Sequence, residues 1–259
     1  MPIYTGVVPP ELWAHVDAEA DNIVDACLTM LKDVSWKTPK TDEDLSVCVG
    51  SVPGSKFEAV RATMDINFPI ASCIGALAVD IEINESSPAD VRKRTLFRHE
   101  MTPNQETLDE RTKSQTYVKA SIGRECKAIP EMHLIMQFVT TSPSSIVAHR
   151  EFVIAVIVRE LPSVNGCRRA ISALRSLTHP KLTDIFPEAS KDEKWVRGFI
   201  GASCFLFEET SPGADKVKAT FLSHADPMGK VPAMVANAVV INQGKALIRV
   251  SHHLEKCNQ

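Results

Sequence analysis

Asp226-Pro227-Met228-Gly229-Lys230-Val231-Pro232, followed by an apolar run to about Leu254, constrains this chain more than any other stretch. Pro227 and Gly229 stop whatever precedes them, and Pro232 is tolerated in the first turn of a helix, where its missing N–H would be unpaired anyway. Val231, Met234, Val235, Ala238 and Ile241 then fall at helical spacing. The predicted helix is apolar nearly all round as far as Ile241 and turns polar at Asn242, Gln243 and Lys245. It continues on a narrower stripe of Leu247, Val250 and Leu254. A helix this apolar must be covered over most of its first half. Lys245, Arg249, His252, His253 and Lys256 place cations toward its end, where the helix dipole favours them.

Upstream, Trp13, Val16, Ala20, Ile23, Val24, Cys27, Met30 and Leu31 recur at three and four residues, predicting an amphipathic helix over 11–31. Residues 45–49 and 57–65 read as two strands joined by the turn Val52-Pro53-Gly54-Ser55. A short apolar helix is expected at 69–79. A second is expected to open at Pro88-Ala89-Asp90-Val91-Arg92, capped by Ser86 or Ser87. Residues 101–130 are polar and read as a loop-rich insertion. Strands follow at 132–139, 149–158, 167–177, 195–207 and 216–225, with connections at 161–166 and 180–187. In the last strand Val217, Ala219 and Phe221 alternate with Lys216, Lys218 and Thr220, predicting one buried face and one wet face.

Consecutive strands joined by short turns make an antiparallel sheet, and helices segregated at the two ends make the fold class α+β. A curved sheet wrapped around the last helix would bury that helix's apolar surface. The absence of repeats or a clear linker predicts one domain over residues 1–259. The net charge of -3 argues against nucleic acid as a partner. No window is apolar enough to span a bilayer, and the N-terminus carries no secretory pattern. Pro2 stands where myristoylation needs glycine, and Cys257-Asn258-Gln259 is too short an ending for a prenylation box. Seven cysteines without a CxxC pair read as reduced thiols in a cytoplasmic protein. No metal or cofactor is expected, and no nucleophile–base–acid set stands out.

Several short motifs stand together in order: Trp36-Lys37, Arg150-Glu151-Phe152-Val153, Val196-Arg197 and the Asp226 to Pro232 element. In that combination the chain resembles a START domain, the lipid-transfer module named for the steroidogenic acute regulatory protein. That family shows Arg-Asp-Phe-Val, Val-Arg and Asp-x-x-Gly-x-x-Pro in the same order, and here Glu151 replaces the aspartate. The resemblance implies a helix-grip fold, with a curved antiparallel sheet gripping the last helix around a closed apolar tunnel. Where sterol-binding members often carry an arginine in this central strand, Val156 stands. The ceramide-binding tyrosine also has no match in 242–245.

The function implied is binding of a phospholipid or similar acyl lipid and its carriage between membranes, with transient membrane contact. At ~0.8 kcal/mol per CH₂, a tail of about sixteen carbons resists entering water by ~12 kcal/mol, so a carrier must offer an enclosed apolar space. Alternation predicts the lining: Leu134, Met136 and Phe138; Phe152, Ile154 and Val156; Val217, Ala219 and Phe221. Met234, Ala238 and Ile241 would close the tunnel from the helix. The same side chains in a solid interior would show the same pattern, so alternation alone leaves both readings open. His149, Arg150 and Arg197 are the candidates for head-group contact. The connection 159–167 matches the family's loop near the last helix, so the two together would form a gate, and Gly244 would weaken the helix midway. A lipid-sensing scaffold and a helix-grip enzyme acting on an apolar substrate are the alternative functions.

Overall fold

The structure is a computed structural model that describes residues 8–38, 40–42, 44–83, 91–100, 129, 131–140, 148–186 and 195–257. Helix α1 (Pro10–Asp33) starts at a proline and carries Glu11 in its first turn. Its buried stripe, Leu12, Val16, Ala20, Ile23, Val24 and Cys27, follows the predicted spacing. Strands β1 (Lys40–Asp42), β2 (Leu45–Ser51) and β3 (Glu58–Ile66) form an antiparallel meander, of which β1 is not apparent in the sequence. Helix α2 (Ile70–Ile83) is the expected apolar helix, one turn longer. Then come β4 (Val91–Glu100), β5 (Met132–Thr140), β6 (His149–Val164) and β7 (Cys167–Ser176). The one-turn helix α3 (Leu182–Ile185), β8 (Trp195–Arg197), β9 (Phe199–Glu209) and β10 (Val217–Asp226) follow. Helices α4 (Ala233–Gln243) and α5 (Ala246–Cys257) end the chain.

The sheet runs β1-β2-β3-β10-β9-β7-β6-β5-β4, antiparallel at every step, with β8 pairing parallel to β6 off that path. It curls into a half-barrel between an N-terminal and a C-terminal helix. Both faces are covered. Helix α1 lies on the outer face against β5, β6, β7 and β9. On the concave face α2 packs on β7 and β9, α5 on α2, β3 and β10, and α4 on the β2–β3 edge. This explains the unbroken burial from Phe152 to Val158. The even residues Phe152, Ile154, Val156 and Val158 join the concave core, and the odd residues Val153, Ala155 and Ile157 join the core beneath α1.

Six expectations are corrected. The segment from Val91 is a strand along β5, not a helix, and residues 84–90 lie outside the description. The connection expected at 161–166 is only Asn165-Gly166, two left-handed residues (φ 52° and 79°) closing a tight hairpin. Pro162 is accommodated where the β6–β7 register shifts between Leu161 and Val164. The strand expected at 195–207 is two pieces, because Gly198 breaks it and donates its N–H to the Glu151 carbonyl at 2.8 Å. The wet face of β10 is largely dry, with Thr220 and Leu222 buried and Lys218 exposed. The C-terminal helix is two helices, parted at Gly244-Lys245, where the Lys245 N–H donates to the Asn242 carbonyl at 3.2 Å. The loop expected at 180–187 contains α3, which seats Ile185 and Phe186 in the outer core. The insertion at 101–130 lies outside the described residues except Ile129, which is buried in the concave core.

Candidate functional site

The three strand faces read from alternation come together. Leu134, Met136 and Phe138 on β5, Phe152, Ile154 and Val156 on β6, and Val217, Ala219 and Phe221 on β10 all belong to one apolar cluster on the concave side. Register explains the meeting: Phe138 pairs with Phe152, Met136 with Ile154 and Leu134 with Val156. The Phe138 and Phe152 rings stack at 5.1 Å, and Phe205 on β9 meets Phe221 at 5.0 Å. A side chain at Gly198 would collide with the Phe152 ring, so glycine there sets that ring's place. Sequence reading missed the helical half of the cluster. Ile70, Ile74 and Leu77 of α2 and Leu247, Val250 and Leu254 of α5 complete it. Their three- and four-residue spacing was visible, but nothing in it fixed which sheet face they cover.

The helix residues assigned to the tunnel fare differently. Met234 is 80% exposed, so it points away from the sheet and does not close the concave face. The side chains of Ala238 and Ile241 lie outside the described residues. Helix α4 is tied to the sheet edge by the Glu58 N–H, which donates to Asn237 Oδ1 at 3.1 Å.

Two of the head-group candidates, Arg150 and Arg197, have several partners within the fold. Arg197 donates to Glu151 Oε2 at 2.9 Å and 3.0 Å and to the Phe186 carbonyl at 2.7 Å. Glu151, 1% exposed, also accepts from Gln137 Nε2 at 2.6 Å. This cluster is on the outer face because Glu151 alternates with Phe152, and a buried carboxylate needs such partners. His149 shares that outer parity and pairs in register with Trp195. Arg150 donates to the carbonyls of Pro227, Met228, Ala148 and His149. Desolvation lowers its pKa from the ordinary arginine value. A side chain at Gly166 would meet Pro212 of the β9–β10 turn, so the 159–167 hairpin tip lies by that turn.

Two thiols near the cores are held protonated. Burial pushes the Cys73 thiol far up, and the hydrogen bond with Cys27, followed by burial, does the same for Cys204. Among the described residues no group of three or more His, Cys, Asp or Glu is placed to hold a metal. Nor is any described helix long and apolar enough to cross a membrane.

The fold is shared with solved structures. The human StAR-related lipid transfer protein 5 aligns with a TM-score of 0.63 at 13% identity, over 95% of this chain and 99% of its own. Human STARD10 aligns with a TM-score of 0.57 at 15% identity, over 99% and 83%. A STAR-related lipid transfer protein from Xanthomonas axonopodis aligns with a TM-score of 0.55 at 18% identity, over 85% and 98%. No curated protein matches by sequence. The family model for the START domain matches residues 112–258, more than half of the chain. With its elements in that family's order and its motifs in the places described, the chain belongs to the START domain family, whose general function is lipid binding and transfer.

Proposed function

We propose that this chain binds an acyl lipid, a phospholipid or one of similar size, in an apolar tunnel on the concave side and carries it between membranes. The observation that carries this reading is the meeting of three strand faces with α2 and α5 in one apolar cluster. An acyl chain gains ~0.8 kcal/mol per CH₂ by lying against such a surface rather than in water. The lining comes from β5, β6 and β10, with Leu134, Met136, Phe138, Phe152, Ile154, Val156, Val217 and Phe221 on it.

Helix α4 is the moving cover. It packs against β2 and β3 and is parted from α5 at Gly244. Next to it, Met228 is 46% exposed and Met234 80%, with Lys230 between them. Two flexible apolar side chains and a cation suit brief contact with an anionic bilayer. The chain acts as one domain over residues 1–259. Free Cys27, Cys48, Cys73, Cys167 and Cys204 fit a reducing, cytoplasmic setting.

Transfer of a fluorescent phospholipid between vesicles tests the proposal. Acceleration by substoichiometric protein supports carriage. Saturable binding without acceleration supports the sensing scaffold, and no uptake removes both.

A further inference from the structure

We propose that Ser203 and Ser223 form a seat, within the apolar concave face, for an uncharged hydroxyl of the bound lipid. This rests on the lipid-binding reading above and narrows it to hydroxyl-bearing lipids.

The two serines stand directly opposite each other on β9 and β10. Facing residues in an antiparallel pair hold their Cβ atoms about 5 Å apart. Two residues along the same face stand Phe205 and Phe221, also opposite each other and in ring contact. The flanking partners are Leu174 on β7 and Val60 on β3, both packed in the concave core. Two hydroxyls are therefore set into an apolar wall, with the residues only 4% and 6% exposed.

Their hydrogen bonding is asymmetric. Ser203 Oγ donates to the Leu222 carbonyl at 2.7 Å, which uses its one hydrogen and leaves its lone pairs. The Ser223 hydroxyl makes no hydrogen bond among the described residues. A hydroxyl set in an apolar wall without a hydrogen-bond partner among the described residues gains one when a ligand group enters the seat. The pair offers one hydrogen from Ser223 and spare acceptors on both oxygens. A ligand hydroxyl matches this, accepting from Ser223 and donating to Ser203. An ester carbonyl would use only the Ser223 hydrogen, and a phosphate would bring an anion to two neutral groups.

The test compares uptake of two labelled probes from phosphatidylcholine vesicles: dioleoylglycerol, and the dioleate ester of propanediol, which lacks only the hydroxyl. Wild type is expected to favour dioleoylglycerol about tenfold, the worth of one well-made buried hydrogen bond. The Ser203→Ala/Ser223→Ala double variant is expected to lose that preference and to hold the propanediol ester at least as well as wild type. Lipid-free Ser223→Ala is expected to melt no lower than wild type. An unchanged preference in the double variant overturns the seat. So does a marked fall in the melting temperature of Ser223→Ala, which would make the hydroxyl a structural group. Equal uptake of both probes by wild type removes the seat and leaves the carrier reading standing. Uptake of neither probe, nor of phosphatidylcholine, removes both.

Discussion

Arg150, at the start of β6, donates from Nη2 to the Met228 carbonyl at 3.2 Å, and from Nε to the neighbouring Pro227 carbonyl. That contact joins two motifs 77 and 78 positions apart. Met228 and Gly229 both have positive φ, 54° and 66°, and the Met228 N–H donates to Asp226 Oδ1 at 2.7 Å. The Asp-Pro-Met-Gly element is thus a tight turn whose carbonyls converge on one guanidinium. It sets where α4 begins.

Replacing Arg150 with alanine is expected to cost about 3 kcal/mol, since hydrogen bonds to a charged group contribute ~1.5–3 kcal/mol. Arg150→Lys is expected to recover less than half of that, because a point-like ammonium cannot span several carbonyls as the planar fork does. Urea unfolding measures both.

The same logic separates architecture from ligand contact at Arg197. Among the described residues Arg197→Met leaves the buried Glu151 carboxylate with Gln137 alone, and removing one partner of a buried pair costs ~3–5 kcal/mol. Arg197→Met combined with Glu151→Gln is expected to recover part of the loss in a double-mutant cycle. Because this pair lies on the outer face, the recovered double variant is expected to transfer lipid at the wild-type rate. A selective loss of transfer would return Arg197 to the site.

Gly198→Ala places a methyl against the Phe152 ring. Overpacking of this kind costs ~1–3 kcal/mol. The ring must leave its stack with Phe138, so the expected result is weaker lipid uptake along with lower stability. A lipid-binding isotherm and a denaturation curve on the same sample check this.

His224 gives a pH signature. Burial lowers its pKa from the ordinary 6.5, with the Asp226 charge opposing that shift, while Nε2 faces Ser55 Oγ at 3.0 Å. The unfolded chain therefore takes up this proton at higher pH than the folded chain. The histidine's contribution is fully present above about pH 6.5, the unfolded value, and is lost as the pH falls from there through the lower folded value. His224→Gln is expected to flatten the stability profile between about pH 7 and about pH 5. Melting temperatures across that range test it.

Period-two alternation made the concave wall legible before any coordinates, because Leu134-x-Met136-x-Phe138 and Val217-x-Ala219-x-Phe221 each show a face directly. Register then brought those faces together, and register is not written in any single strand. Other features were hidden by competing signals. Pro162 argued for a loop, yet it sits at a shift in pairing, while the true turn signal was Asn165-Gly166. Pro88 and a capping serine argued for a helix, yet the charged run from Val91 forms the sheet's edge strand, where charges discourage pairing with another chain. Thr220 looked solvated because the sequence does not say that the outer face of β10 is also buried, where Leu222 joins the core beneath α1. Met234 has the helical spacing of a core residue but stands in solvent, since periodicity gives a face and not its direction.

Met234 also gives the membrane prediction. Met234→Asp is expected to slow lipid exchange with anionic vesicles about tenfold while leaving the equilibrium occupancy of the protein unchanged, because it alters the contact tip and not the concave wall. Stopped-flow transfer alongside an occupancy measurement separates the two effects.

Native mass spectrometry of the purified chain tests the central claim most directly. The account predicts a protein carrying one lipid molecule, which exchanges on mixing with vesicles and is lost when Ile154 or Phe221 is replaced by a charged residue in a chain that still folds. A folded wild-type protein that arrives empty and stays empty after incubation with vesicles would contradict it.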